Sequence, residues 1–258
     1  MSITTIATHV RPGTPAEVER RMGPALTVAE GFGAWMAALV FAIEGDDAGE
    51  AQAAAAADAL LQRRGLRGEV RARSSFAYGA GEVFADQVRV SDLAVVSPDL
   101  AQGVAGRLLL SAAVFDSGRP VLMVPETAGL AQMPRRVMVG WDASPGAARA
   151  VAGAMPFLCR ADETIVATVS EDKALRPGQS GVELTHLLAR HAVRASFTAL
   201  PGGGGGALAA LIAGARAHGA EMLVLGAVRH SPLHDLVFGS VTDGLFQGAG
   251  GLPCLVAA

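Results

Sequence analysis

Lysine is almost missing from this chain: Lys173 is the only one in 258 residues. A phosphate loop of the form Gly-x4-Gly-Lys-(Ser/Thr) needs a lysine directly after its second glycine. Lys173 follows Glu171-Asp172 instead, so that large class of nucleotide hydrolases is excluded. Cysteine is as scarce. Cys159 and Cys254 lie far apart and form no Cys-x2-Cys pair, a pattern that reads as small core residues in a reducing compartment rather than a metal site or a disulfide framework. Charge is sparse as well, at 17% with a net value of −3. No basic run interleaved with aromatics occurs, which argues against nucleic acid as a partner. Long apolar runs are also lacking. The stretch Ala34–Ile43 is too short to cross a membrane, and Met1-Ser-Ile-Thr-Thr-Ile6 has none of the charged-then-apolar character of a leader. The expected location is the cytoplasm.

What is abundant is small and apolar. The chain is 51% hydrophobic and carries 32 glycines, as expected where parallel strands are covered by helices on both faces. Its length suits two domains better than one. A repeat supports two. Ser91-Asp-Leu-Ala-Val-Val-Ser-Pro98 and Ala220-Glu-Met-Leu-Val-Leu-Gly-Ala227 share one pattern 129 residues apart, and Gly118-Arg-Pro-Val-Leu-Met-Val-Pro125 matches Gly251-Leu-Pro-Cys-Leu-Val-Ala-Ala258 at 133. Two landmarks in the same order at nearly the same spacing indicate duplication of a domain. The expected domains are residues 1–127 and 134–258, joined through Glu126–Pro134.

In each half the periodicity alternates strand and helix, which gives a parallel sheet with right-handed crossovers. The second half is read as strands over 136–141, 164–170, 195–200, 222–225 and 254–257, with helices over 145–158, 182–191, 207–218 and about 240–247. The first half is read as strands over 3–9, 36–43, 69–76, 93–96 and 121–124, with helices over 24–35, 48–63, 81–88 and 105–116. The fold class is α/β: two tandem five-stranded Rossmann-like domains.

In such a sheet a ligand lies beyond the carboxyl ends of the strands, where connections diverge. Three segments of the second half converge there. Val137-Met-Val-Gly-Trp-Asp142-Ala-Ser144-Pro145 sets an acid at the end of a strand, with Ser144 as N-cap and Pro145 at the first helical position. Asp142 is either a ligand-holding acid or a loop acid that supports the cap. The end of the next strand, Ala167-Thr-Val169, stands beside it. Then comes Gly226-Ala-Val-Arg229-His230-Ser231-Pro232-Leu-His234-Asp235-Leu-Val-Phe-Gly239-Ser240-Val241. A glycine straight after a strand, and a Gly-Ser pair opening a helix, present backbone N–H groups to an anion where the helix dipole is positive. His230, His234 and Asp235 form an apparent cluster, but no second pair of ligands stands at zinc-like spacing. They read as a solvated loop, and no metal site is expected. The run Gly202–Gly206 reads as a flexible loop, not a dinucleotide fingerprint.

The tail resembles the C-terminal nucleotide signature of the universal stress protein family, Gly-x2-Gly-x9-Gly-(Ser/Thr), with Arg229 at the second glycine. The resemblance covers the second half by motif and the first half only by the order of its elements. It implies an adenine-nucleotide α-hydrolase-like fold and a stress-response regulatory protein that binds ATP, with Mg²⁺, or AMP. It assigns Asp142 to the adenine and ribose end, Val169 to the adenine edge, and Gly226, Gly239, Ser240 and Val241 to the phosphates. Arg229 either keeps an ordinary conformation and distorts the cradle, or turns its guanidinium on the phosphates. Weakened or vestigial binding is therefore the expectation.

No activated nucleophile, acid pair or metal set supports an enzyme. The alternatives are a slow ATPase or phosphotransfer enzyme using Asp142 and a divalent ion, and a nucleotide-free interaction scaffold. In the first half the corresponding strands end in His9-Val10 and Ser97-Pro98, and Pro98 has no N–H to offer. That half reads as a partner domain, not a binding site.

Family members pair through their last strands, so Val121–Val124 and Cys254–Ala257 are expected to pair within one chain as a pseudo-dimer that hides two edges, with a further homodimer conceivable. Leu255→Arg is then expected to lower the unfolding free energy by about 3 kcal/mol or more, and the urea midpoint with it, as an unpaired charge forced into such a seam does. A Leu255→Arg protein with an unchanged urea midpoint would overturn the pairing.

Overall fold

The computed structural model describes residues 2–42, 49–72, 79–170, 180–227 and 244–258. The chain divides into two compact units, residues 2–133 and 134–258.

In the first unit, β1 (Thr5–Val10), α1 (Pro15–Phe32), β2 (Trp35–Val40), α2 (Glu50–Arg63), β3 (Gly68–Ala72), α3 (Ala80–Arg89), β4 (Leu93–Val96), α4 (Val104–Ser111) and β5 (Val121–Met123) follow one another. The strands pair in parallel in the order β3-β2-β1-β4-β5. All four residues of β4, Leu-Ala-Val-Val, are buried, as a strand covered on both faces must be. The chain leaves β1 in one direction for β2 and β3, then returns past it to β4 and β5. Between β1 and β4 the connections therefore part, and a crevice opens at the carboxyl ends.

Helix α1 differs from its expected span of 24–35. It begins at Pro15, where Thr14 Oγ1 accepts from the Glu17 N–H at 3.4 Å and Glu17 Oε2 accepts from the Thr14 N–H at 2.8 Å. This is a capping box with proline at the first helical position. Pro24 sits inside the helix. Its ring removes one intrahelical bond, but Val18, Met22, Leu26 and Ala29 are buried on either side of it, and their burial keeps the helix continuous. Gly33, with φ 67°, closes the helix in a left-handed conformation by donating to Ala29 O and Glu30 O. The helix expected over 105–116 is α4 followed by a π-helical turn, Ala112–Asp116.

His9 is a polar residue in the core of this unit, 6% exposed. Its Nε2 lies 3.0 Å from the Phe41 carbonyl oxygen. A carbonyl only accepts, so Nε2 carries the proton and Nδ1 is a bare acceptor. The ring packs 4.4 Å from Phe41 and 6.2 Å from Phe84. Burial above all lowers its pKa from 6.5 to about 4, with Arg11 and Arg21 adding to the shift and the Phe41 bond opposing it.

The second unit repeats the plan: β6 (Arg136–Gly140), α5 (Pro145–Leu158), β7 (Glu163–Val169), α6 (Gly181–Arg190), β8 (Ala195–Leu200), α7 (Gly206–Ala217), β9 (Met222–Gly226) and β10 (Cys254–Ala257). Its strands run parallel in the order β10-β9-β6-β7-β8. The crevice here lies between β6 and β9. Of the helix expected over 240–247, residues 240–243 lie outside the described residues, and 244–246 are helical. Cys254 is buried, and burial drives its thiol pKa far up; Cys159, expected in the core, is exposed at the end of α5.

His9 makes stability depend on pH. It is neutral in the folded chain down to about pH 4, whereas an unfolded histidine takes up a proton near pH 6.5. The unfolded state thus binds more protons across that window, and stability falls as pH drops through it, by on the order of 3 kcal/mol in all. The urea midpoint is expected to decline between pH 6.5 and 4, and His9→Gln, which can still donate to Phe41 O, is expected to remove that part of the decline.

Candidate functional site

In the second unit the ends of β6, β7 and β9 lie side by side, and each is held by specific bonds. The turn after β6 is fixed to β7: the Trp141 N–H donates to Ala167 O at 2.8 Å, and the Thr168 hydroxyl donates to Trp141 O at 3.1 Å. Asp142 Oδ1 accepts from the Ser144 N–H at 2.9 Å. Ser144 Oγ in turn accepts from the Ala147 N–H at 3.0 Å, which makes it the N-cap of α5 with Pro145 behind it. Ala143, between them, takes a left-handed φ of 57°, a conformation with a modest cost for a residue with a side chain. Asp142 therefore acts as the support of a helix cap. Val169, the last residue of β7, is buried in register with Leu200.

Gly226 ends β9 against the first turn of α5. A Cβ there would stand 2.6 Å from Gly146 C and 2.9 Å from Ala147 Cα, and a Cβ on Gly146 would stand 2.9 Å from the Ala227 carbonyl oxygen. Strand and helix touch backbone to backbone, which only two glycines allow. Gly226 is needed for this contact whatever binds above it. Asp142, Val169 and Gly226 are thus brought to one end of one sheet, with Asp142 and Gly226 meeting at the start of α5. Arg229, Gly239, Ser240 and Val241, together with His230, His234 and Asp235, lie outside the described residues. Among the described residues no group of His, Cys, Asp and Glu is placed to hold a metal ion.

The first unit holds a feature that the sequence did not disclose. At the carboxyl ends of β1, β4 and β5 lies a cleft of about 480 Å³, its open mouth included, with Thr8, His9, Ser97 and Glu126 in its wall and Arg11, Arg20 and Arg21 around them. One carboxylate faces three guanidiniums. Glu126 stands 3.1 Å from Arg20 Nη2, 3.7 Å from Arg21 Nε and 3.9 Å from Arg11 Nη2. Arg21 Nη1 also clamps the loop after β1, donating to Arg11 O at 2.9 Å and Pro12 O at 3.1 Å. Burial, then the charge on Arg11, pushes the Arg21 pKa down, while Glu126 and Glu17 oppose the shift. Placing the start of α1 at Thr14-Pro15 is the signal that finds this cluster, because it sets Arg20 and Arg21 on the helix that follows β1.

No family model matches the chain, and no curated protein matches it in sequence. Solved structures do match it. A universal stress protein from Archaeoglobus fulgidus DSM 4304 is 14% identical with a TM-score of 0.66, over 97% of this chain and 95% of that one. The functionally unknown protein PA1789 from Pseudomonas aeruginosa PAO1 is 14% identical with a TM-score of 0.63, over 99% of this chain and 92% of that one. A candidate universal stress protein from Pseudomonas aeruginosa UCBPP-PA14 is 16% identical with a TM-score of 0.61, over 99% and 93%. In the arrangement of its helices and parallel strands from end to end, this chain has the fold of a universal stress protein.

Proposed function

We propose that the chain is a regulatory protein of the universal stress kind, which binds an adenine nucleotide at the carboxyl ends of β6, β7 and β9. The observation that carries this reading is the meeting of the Asp142 turn and Gly226 at the first turn of α5, with the end of β7 at Val169 on the same end of the sheet. An anion is stabilised at such a helix start, where backbone N–H groups and the helix dipole act together. The sequence beyond Gly226 supplies the Gly239-Ser240-Val241 step that would complete a phosphate cradle. ATP with Mg²⁺, or AMP, are the ligands this reading assigns. Asp142 favours binding over catalysis, because its carboxylate already accepts from the Ser144 N–H and is tied to the cap.

The nucleotide is expected to be held weakly, with Arg229 as the cause. Purification without added nucleotide, denaturation and mass spectrometry of what is released, alongside calorimetry with ATP and AMP, tests the reading. Arg229→Gly is expected to tighten ATP binding by roughly tenfold, the equivalent of the cost of a left-handed conformation at a residue with a side chain. Looser binding in Arg229→Gly would mean that the guanidinium serves the phosphates. No nucleotide released and no heat from either protein would overturn the proposal and leave an interaction scaffold.

A further inference from the structure

We infer that the free edge of β8 in the second unit is the surface through which two copies of this chain associate, pairing strand to strand in antiparallel register about Phe197. The inference does not rest on the proposed nucleotide site, since β7 stands between β8 and the crevice that parts β6 from β9.

Which backbone groups β8 leaves over follows from its bonds to β7. The Thr164 N–H donates to Arg194 O at 2.8 Å, and the Ser170 N–H donates to Leu200 O at 2.9 Å. In a parallel pair every second residue of a strand turns both its groups to one neighbour, so Ser196 and Thr198, in step with Arg194 and Leu200, serve β7. Ala195, Phe197 and Ala199 turn their N–H and C=O away from it, and β8 pairs with no further strand among the described residues. Ser196, Phe197 and Ala199 are exposed. The first unit guards its corresponding edge. There β3 carries Glu69 and Arg71, paired with each other at 2.5 Å, and Arg71 also reaches Gln87 of α3 at 2.5 Å. Charged side chains of this kind keep one strand edge from meeting another. Ala195-Ser-Phe-Thr-Ala-Leu200 has no charge, proline or glycine.

A second copy fits this edge by symmetry. Antiparallel pairing about a two-fold axis at Phe197 sets Phe197 opposite itself and Ala195 opposite the copy's Ala199, so every outward N–H meets an outward C=O. The alanines leave room for the strands to approach. Phe197, 41% exposed, lies over Gly181 at the start of α6, where a Cβ would come within 2.4 Å of its ring, and Val182 beside that glycine is exposed as well. The two Phe197 rings then meet across the axis, the kind of cross-strand pair that stabilises a sheet. Charge does not oppose the match, because in this register Arg194 stands opposite Leu200 and not opposite its own copy. Pro201, without an N–H, ends the pairing at the end of the strand.

Analytical ultracentrifugation of the full chain over a range of concentrations tests this. A particle of twice 26.2 kDa is expected at micromolar concentration, giving way to monomer on dilution. Ala199→Pro removes an outward N–H and no bond to β7, at a position where an edge strand accepts proline. Symmetry deletes that bond twice, so the dissociation constant is expected to rise by roughly tenfold or more. Phe197→Lys sets like charges against each other across the axis and is expected to weaken the dimer as well, less so at high salt. Weaker association in both variants, at an unchanged urea midpoint of the monomer, supports the pairing. A dimer that either variant forms as tightly as the unaltered chain would overturn it. So would a chain that stays monomeric up to millimolar concentration, which would leave the edge to the strand of a different protein.

Discussion

Parallel pairing between β1 and β4, and again between β6 and β9, is the constraint on which the rest of the molecule depends. Parallel neighbours cannot be joined by a tight turn, so each connection crosses a face of the sheet as a helix and buries it. The helices leave in opposite directions from the two strands of each pair. What remains at the carboxyl ends is a gap floored by strand termini and flanked by the first turn of a helix. Both units inherit that gap from topology alone, before any side chain is chosen to line it.

The two units furnish it differently. In the second, among the described residues, Gly226 lies on Gly146 and Ala147, and the adjoining acid supports the cap of α5. The proposed nucleotide site there would rely on backbone donors and dipoles. In the first, Pro98 replaces a donor at the start of the 3-10 turn after β4, and arginine side chains crowd the gap instead. A backbone cradle is rigid and specific in shape, whereas a guanidinium cluster supplies charge over a wider range of positions. Two units of one plan therefore line the same topological gap with different chemistry.

Much of the architecture was legible in sequence because its signals are local. Runs such as Leu93–Val96 and Met222–Leu225, buried throughout, read as strands from their neighbours alone, and Ser144-Pro145 announced α5 directly. Helix α1 was read short because Pro24 looks like a start when seen alone; the capping box at Thr14 and Glu17 identifies the true one. The turn at Asp142 was legible as a choice between two roles; the Ser144 N–H bond shows that the carboxylate supports the cap through Oδ1, a role compatible with holding a ligand as well. Of the arginine cluster, only the Arg20-Arg21 pair behind the Thr14-Pro15 helix start was open to a sequence reading. Arg11 and Arg20 are separated from Glu126 by more than a hundred positions, and no periodicity joins them until β1 and β5 are placed in one sheet.

The contact between Gly226 and the start of α5 also bears on how such sequences diverge. A glycine held by its neighbours' backbone is under selection for the fold, and would persist in a descendant that had ceased to bind anything. A glycine at this place in a tail thus records the packing of β9 on α5 before it says anything of affinity.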